Sequence, residues 1–125
     1  MRARPGGGCA APGCQNGRVN VPETPVHAVP DDAFLLDVRE PEEWVAGHAP
    51  GAVHIPLFEL PARVAEVPED ATVYVICRVG GRSAQATAWL NRFGRRAVNV
   101  AGGMMAWAAA ARPMVAENGQ EPYVA

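Results

Sequence analysis

Thr72-Val73-Tyr74-Val75-Ile76-Cys77-Arg78-Val79-Gly80-Gly81-Arg82-Ser83 decides how this chain folds. Its first five residues are all β-branched or aromatic and make the strongest strand candidate in the sequence. Two glycines then allow a short, tightly curled loop. Residues 83–93 follow as a helix ended by Gly94, with Ala86, Leu90 and Phe93 on one face at spacings of four and three. Ala84 and Ala88 extend that face. A strand, a tight loop and a helix in succession form the repeating unit of a parallel α/β sheet.

The same alternation runs outward in both directions. Residues 24–28 are a possible first strand, edge-like because of Pro25. Residues 33–38 form an apolar run with one polar residue, Asp37, near its end, as expected of a buried parallel strand. Residues 41–46 read as a short helix, with Pro41, Glu42 and Glu43 in its first turn and Gly47 as its stop. Residues 52–55 are a short strand closed by Pro56, and residues 60–67 a helix candidate held between Pro61 and Pro68. Residues 97–100 and 104–111 complete the pattern as a strand and an Ala-rich helix. The expected architecture is an α/β domain with a central, mostly parallel five-stranded sheet flanked by helices on both faces. In such sheets ligands bind beyond the carboxyl ends of the strands, which singles out the residues after Val38 and after Ile76.

At 125 residues, one domain is the natural count. The body is expected over residues 21–116. A Gly-, Pro- and Arg-rich flexible tail precedes it at 1–20, and a loose tail follows at 117–125. No apolar run is long enough to span a bilayer, and the N-terminus lacks the apolar core of a secretory signal. Three cysteines, an odd number, argue against a disulfide framework and for a free thiol in a reducing, cytoplasmic setting. Cys9 and Cys14 fall in the first tail, with no second Cys or His cluster to complete a zinc site. Neither a metal nor another cofactor is expected. All eleven basic residues are arginine, and the net charge is −2. Acids concentrate in residues 31–70 and arginines in 71–116, so the second half should attract small anions. The mild overall acidity and the lack of interleaved aromatics argue against nucleic acid.

The chemistry centres on Cys77. In a Gly-containing loop between a strand and a helix, successive N–H groups can turn inward and bind an anion. A cysteine there is expected to favour thiolate, helped by Arg78 and Arg82, and thiolate is the nucleophilic form. The candidate substrate-binding loop is therefore Arg78, Val79, Gly80, Gly81, Arg82 and Ser83, with Cys77 catalytic. Asp37 and Arg39, at the end of the neighbouring strand, are expected to brace this loop, with Arg39 a candidate rim contact. Gly102-Gly103 lacks the Lys and Ser/Thr of a phosphate loop and reads as structure. Trp44, Trp89 and Trp107 read as core or near-core aromatics.

Four stretches, in order, resemble the single-domain rhodaneses across residues 24–114. They are Leu35-Leu36-Asp37-Val38-Arg39-Glu40; Glu43-Trp44 with Gly47-His48-Ala49-Pro50-Gly51-Ala52 and His54-Ile55-Pro56; Cys77 to Ser83; and Ala101-Gly102-Gly103-Met104-Met105-Ala106-Trp107. The resemblance implies sulfur transfer through a persulfide on Cys77, from a small anionic donor such as thiosulfate to a thiophilic acceptor. Cyanide or a thiol could take that last place, or a sulfur-acceptor protein, which would make the domain a persulfide relay in sulfur-cofactor or tRNA-thiolation pathways. It also implies that Arg78 and Arg82 attract the donor's sulfonate, that His48 and His54 belong to structural turns, and that the domain is a monomer. Related phosphatases and arsenate reductases have a loop one residue longer, with arginine six positions after the cysteine; here Arg82 comes five after Cys77. That spacing favours a sulfurtransferase over those enzymes. The presence of Cys77 argues against an inactive interaction module.

Overall fold

The computed structural model describes residues 21–125. Cys9, Cys14 and the expected N-terminal tail lie outside the described residues. Five strands form one sheet: β1 (Glu23–Pro25), β2 (Phe34–Asp37), β3 (Val53–His54), β4 (Thr72–Ile76) and β5 (Arg96–Ala101). Their spatial order is β1-β5-β4-β2-β3, and every pairing is parallel. β4 is central because it is apolar on both faces. β1, with Pro25, takes an edge, where a missing N–H costs no ladder bond.

Four helices cover the sheet: α1 (Pro41–Ala46), α2 (Leu60–Arg63), α3 (Gly81–Arg92) and α4 (Gly103–Ala109). Strand alternation divides the core into two layers. Leu36, Val73, Val75 and Ala97 face Leu60 of α2 and Ala86 and Leu90 of α3. Leu35, Ile76 and Val100 face Met104 and Trp107 of α4, with Val26. Among the described residues, no helix is long and apolar enough to cross a membrane.

Some boundaries differ from the sequence reading. The helix expected at 60–67 is a single α-turn flanked by 3₁₀ turns at Leu57–Glu59 and Val64–Glu66. Pro61 and Pro68 leave too little length for more. The expected strand at 24–28 ends at Pro25, and Val26–Ala28 coil into a 3₁₀ turn. α3 begins at Gly81, two residues early, because Gly80 makes the turn with φ +114°. Residues 117–125 form no helix or strand, but they are not loose. Glu117 and Tyr123 donate backbone N–H groups to the Val45 and Ala46 carbonyls. A Cβ on Gly47 would lie 2.8 Å from the Tyr123 nitrogen, so the last segment packs directly on the end of α1.

Candidate active site

The parallel sheet brings the ends of β2 and β4 side by side, with Val38 N–H donating to the Ile76 carbonyl at 3.1 Å. Cys77 leaves β4 at this edge and is buried. Its Sγ accepts the Gly80 N–H at 3.1 Å and lies 3.3 Å from Ser83 Oγ. The chain from Cys77 to the first turn of α3 thus wraps around the sulfur.

What holds the loop in this shape is α4. Met104 N–H donates to the Cys77 carbonyl at 2.8 Å, and Met105 N–H to the Arg78 carbonyl at 3.0 Å. In a trans peptide the N–H points opposite to the carbonyl. Turning those two carbonyls towards α4 therefore turns the Arg78 and Val79 N–H groups away from it. Among the described residues, the N–H groups of Arg78, Val79, Gly81, Arg82 and Ser83 have no protein acceptor. Those of Gly81, Arg82 and Ser83 belong to the first turn of α3, which has no preceding carbonyls to bond. The result is a curl of unused donors beside a sulfur, suited to a small anion.

The close approach of α4 explains Gly102-Gly103 as structure. Gly103 has φ +56°, and a Cβ there would lie 2.6 Å from the Arg78 carbonyl oxygen and still closer to that of Cys77.

The two loop arginines behave differently. Arg82 points its fork at Glu43 of α1, with bonds of 2.8 and 3.0 Å. That contact lowers the Glu43 carboxyl pKa below its ordinary value of 4.5 and raises that of Arg82. Glu43 also accepts the Glu40 N–H at 2.8 Å as half of a capping box, so it ties α1 to the loop. The expected sulfonate-facing fork of Arg82 is committed to a carboxylate. Arg78 is freer: its Nε donates to the Ala125 oxygen at 3.1 Å, and its two Nη groups have no acceptor among the described residues.

Asp37 and Arg39 are both fully buried and form a bidentate pair at 2.8–3.1 Å. Arg39 Nη2 also donates to the Gly47 carbonyl at 2.8 Å. The expectation that Arg39 reaches the rim is corrected by this burial. The pair's side-chain bonds go to each other and to the Gly47 carbonyl at the end of α1, none to the loop, and the Arg39 charge helps to lower the Glu43 pKa. His48 and His54 sit away from the sulfur. His48 stacks on Trp44 at 3.5 Å and bonds Glu117 at 2.6 Å, while His54 stacks on Trp44 at 4.8 Å and bonds the Arg39 carbonyl. Both therefore hold turns together. Trp107 is buried, while Trp44 and Trp89 are half-buried.

Sequence reasoning missed Asn99, which is buried on β5. It bonds Ser83 Oγ at 2.6 Å, Glu23 Oε2 at 3.1 Å and the Gly80 carbonyl at 3.4 Å. A lone Asn in a strand carries no motif; only an unexpected polar residue on the core face of β5 could have pointed to it. Among the described residues, no cluster of His, Cys, Asp and Glu is arranged to hold a metal ion.

Comparison with known proteins gives the family and the fold. The chain is 41% identical over 90 residues to a sulfurtransferase of Allochromatium vinosum, covering 71% of this chain and 84% of that one. A rhodanese-related protein from Thermoplasma volcanium superposes with a TM-score of 0.72 at 31% identity, covering 75% of this chain and 97% of that one. A thiosulfate sulfurtransferase from Pseudomonas aeruginosa superposes with a TM-score of 0.69 at 26% identity, covering 82% of this chain and 21% of that one. A family model for the rhodanese-like domain matches residues 24–110, so the chain belongs to the rhodanese-like domain family.

Proposed function

We propose that this protein is a sulfurtransferase that carries sulfane sulfur as a persulfide on Cys77, with thiosulfate or a similar small anion as donor. The observation that carries this reading is the seat of the sulfur: Sγ takes the Gly80 N–H, and the surrounding loop N–H groups have no protein acceptor. The Cys77 thiolate attacks the outer sulfur of thiosulfate. A new S–S bond forms, the donor's S–S bond breaks, and sulfite leaves with the electron pair. The outer persulfide sulfur then bears the negative charge, and the free loop N–H groups stabilise it. In the second half-reaction a thiophile attacks that sulfur; cyanide leaves as thiocyanate, and the Cys77 thiolate is restored. An acceptor protein could take the same place.

Arg78, with open Nη groups, draws the sulfonate towards the loop. Arg82 supplies positive charge and fixes the loop against α1 through Glu43. The tight loop, with only Arg78, Val79 and Gly80 between Cys77 and α3, suits a single sulfur atom better than a tetrahedral oxyanion. A cytoplasmic setting, where a free thiol stays reduced, suits this chemistry.

The test is intact-mass and peptide mass spectrometry after incubation with thiosulfate. One added sulfur on Cys77, removed by cyanide with release of thiocyanate and absent in Cys77→Ser, is the expected result. No adduct with thiosulfate or with 3-mercaptopyruvate, together with turnover of a phosphate ester or arsenate, would overturn the reading.

A further inference from the structure

The buried sulfur sits at the end of a hydrogen-bond chain that reaches the edge of the sheet. Ser83 Oγ lies within donating distance of two acceptors, Cys77 Sγ at 3.3 Å and Asn99 Oδ1 at 2.6 Å. A serine hydroxyl has one proton and can serve only one of them at a time. The orientation of the Asn99 amide is not free. Its other end faces Glu23 Oε2 at 3.1 Å and the Gly80 carbonyl at 3.4 Å. Both are acceptors, so the amide nitrogen must face them and the amide oxygen must face Ser83. The shorter contact therefore takes the Ser83 proton. The 3.3 Å contact is then satisfied only by the Cys77 S–H donating to Ser83 Oγ.

We propose that Asn99, oriented by Glu23, is a positioning residue that competes with Cys77 for the Ser83 proton and so sets the sulfur's affinity for its own proton. This proposal rests on Cys77 being the reactive group. In the thiol state the chain is complete: Cys77 S–H to Ser83 Oγ, Ser83 O–H to Asn99 Oδ1. When Cys77 releases its proton to water, the thiolate gains the Ser83 donor only if the hydroxyl turns away from Asn99. That rotation leaves a buried amide oxygen without its hydrogen. In the persulfide state, Sγ is a bridging, uncharged sulfur and the charge lies one atom out, so Ser83 returns to Asn99. The device disfavours bare thiolate relative to both neighbouring states, and thereby favours holding sulfur once it is taken up.

The charged groups at this end of the sheet are Arg82 on α3, Glu43 of α1 paired with it, Glu40 beside that pair, Arg78 in the loop, Glu23 on β1 and the Asp37–Arg39 pair at the end of β2. His54, on the Arg39 carbonyl, adds an imidazole. The Ser83→Ala background below separates the sulfur's own transition from theirs.

The test is the pH profile of iodoacetamide alkylation, read on the Cys77 peptide of the full-length protein so that Cys9 and Cys14 do not contribute. It needs no sulfur donor, so failure of thiosulfate uptake and failure of this proposal show in different measurements. Asn99→Leu removes the competing acceptor. It is expected to lower the Cys77 midpoint by about half a pH unit and so raise the alkylation rate below the midpoint about threefold. In a Ser83→Ala background the same substitution should change nothing. Glu23→Ala, at an exposed edge position where folding is not at stake, frees the amide to flip and should shift the midpoint in the same direction. Glu23→Gln can keep an acceptor facing Asn99 and should leave it in place. An unchanged midpoint in folded Asn99→Leu would overturn the proposal. So would a shift that persists without the Ser83 hydroxyl, or, should Asn99→Leu fail to fold, an unchanged midpoint in Glu23→Ala.

Discussion

Replacing Gly103 by alanine tests whether α4 holds the Cys77 loop in shape. Two costs add at this position. The first is backbone strain: φ is +56°, and an L-residue with a Cβ in that region costs about 1–2 kcal/mol. The second is a collision: the new Cβ would fall 2.6 Å from the Arg78 carbonyl oxygen and closer to that of Cys77. Neither partner is a flexible side-chain tip, so α4 or the loop must move. Movement breaks the bonds from Met104 and Met105 to those two carbonyls, worth about 0.5–1.5 kcal/mol each. The total is about 2–5 kcal/mol. Gly51→Ala is the control, with φ +77° and nothing within 4 Å of a Cβ; it carries the strain alone, about 1–2 kcal/mol. At roughly 4 °C per kcal/mol for a domain of this size, Gly103→Ala should melt roughly 8–20 °C lower and Gly51→Ala roughly 4–8 °C lower. Thermal unfolding by circular dichroism measures both. Peptide-resolved alkylation of Cys77 supplies a local readout that should change only for Gly103→Ala. Equal melting losses in the two variants, with unchanged alkylation in both, would refute the view that α4 sets the loop geometry.

Four further outcomes follow from the same contacts. Asp37→Asn leaves the fully buried Arg39 cation without its carboxylate and should cost about 3–5 kcal/mol in denaturant unfolding; a loss under about 1 kcal/mol would mean that water reaches Arg39. Leu90→Ala empties a fully buried position between α3 and the sheet and should cost about 2–5 kcal/mol by the same measurement, with a smaller loss showing that the site collapses. Because Arg82 lowers the Glu43 pKa below 4.5, the ion pair's stabilisation is fully present above pH 4.5 and fades as pH falls through the lowered value. Wild type should thus exceed Glu43→Gln in stability at pH 7 and converge with it in acid; a pH-independent gap would contradict this. Arg78→Ala should raise the KM for thiosulfate without changing the melting temperature, whereas Arg82→Ala should lower both loop integrity and melting temperature. Equal behaviour of the two would refute the division of roles drawn from their contacts.

The local chemistry of the chain was legible before any fold was in view. β-Branched and apolar runs marked β2 and β4, because a strand buried on both faces needs nothing but apolar residues. Pro25 marked the edge, and the two glycines after Val79 marked a loop that only a small residue can turn. Cys77 beside them stood out because a thiol, unused N–H groups and arginine form one chemical unit within a few residues of sequence. Contacts between distant segments were decided only by the tertiary structure. Arg82 read as an anion receptor until α1 brought Glu43, 39 residues away, against its fork. Arg39 read as a rim residue, yet the sheet buries it on Asp37 and the end of α1. Residues 117–125 carry no periodicity, since their order comes from bonds to α1 and not from a repeating pattern of their own. Asn99 and Glu23 were silent for the same reason. A hydrogen-bond chain of four side chains spanning 76 residues leaves no spacing in the sequence, because its geometry exists only after β1, β5 and α3 have packed together.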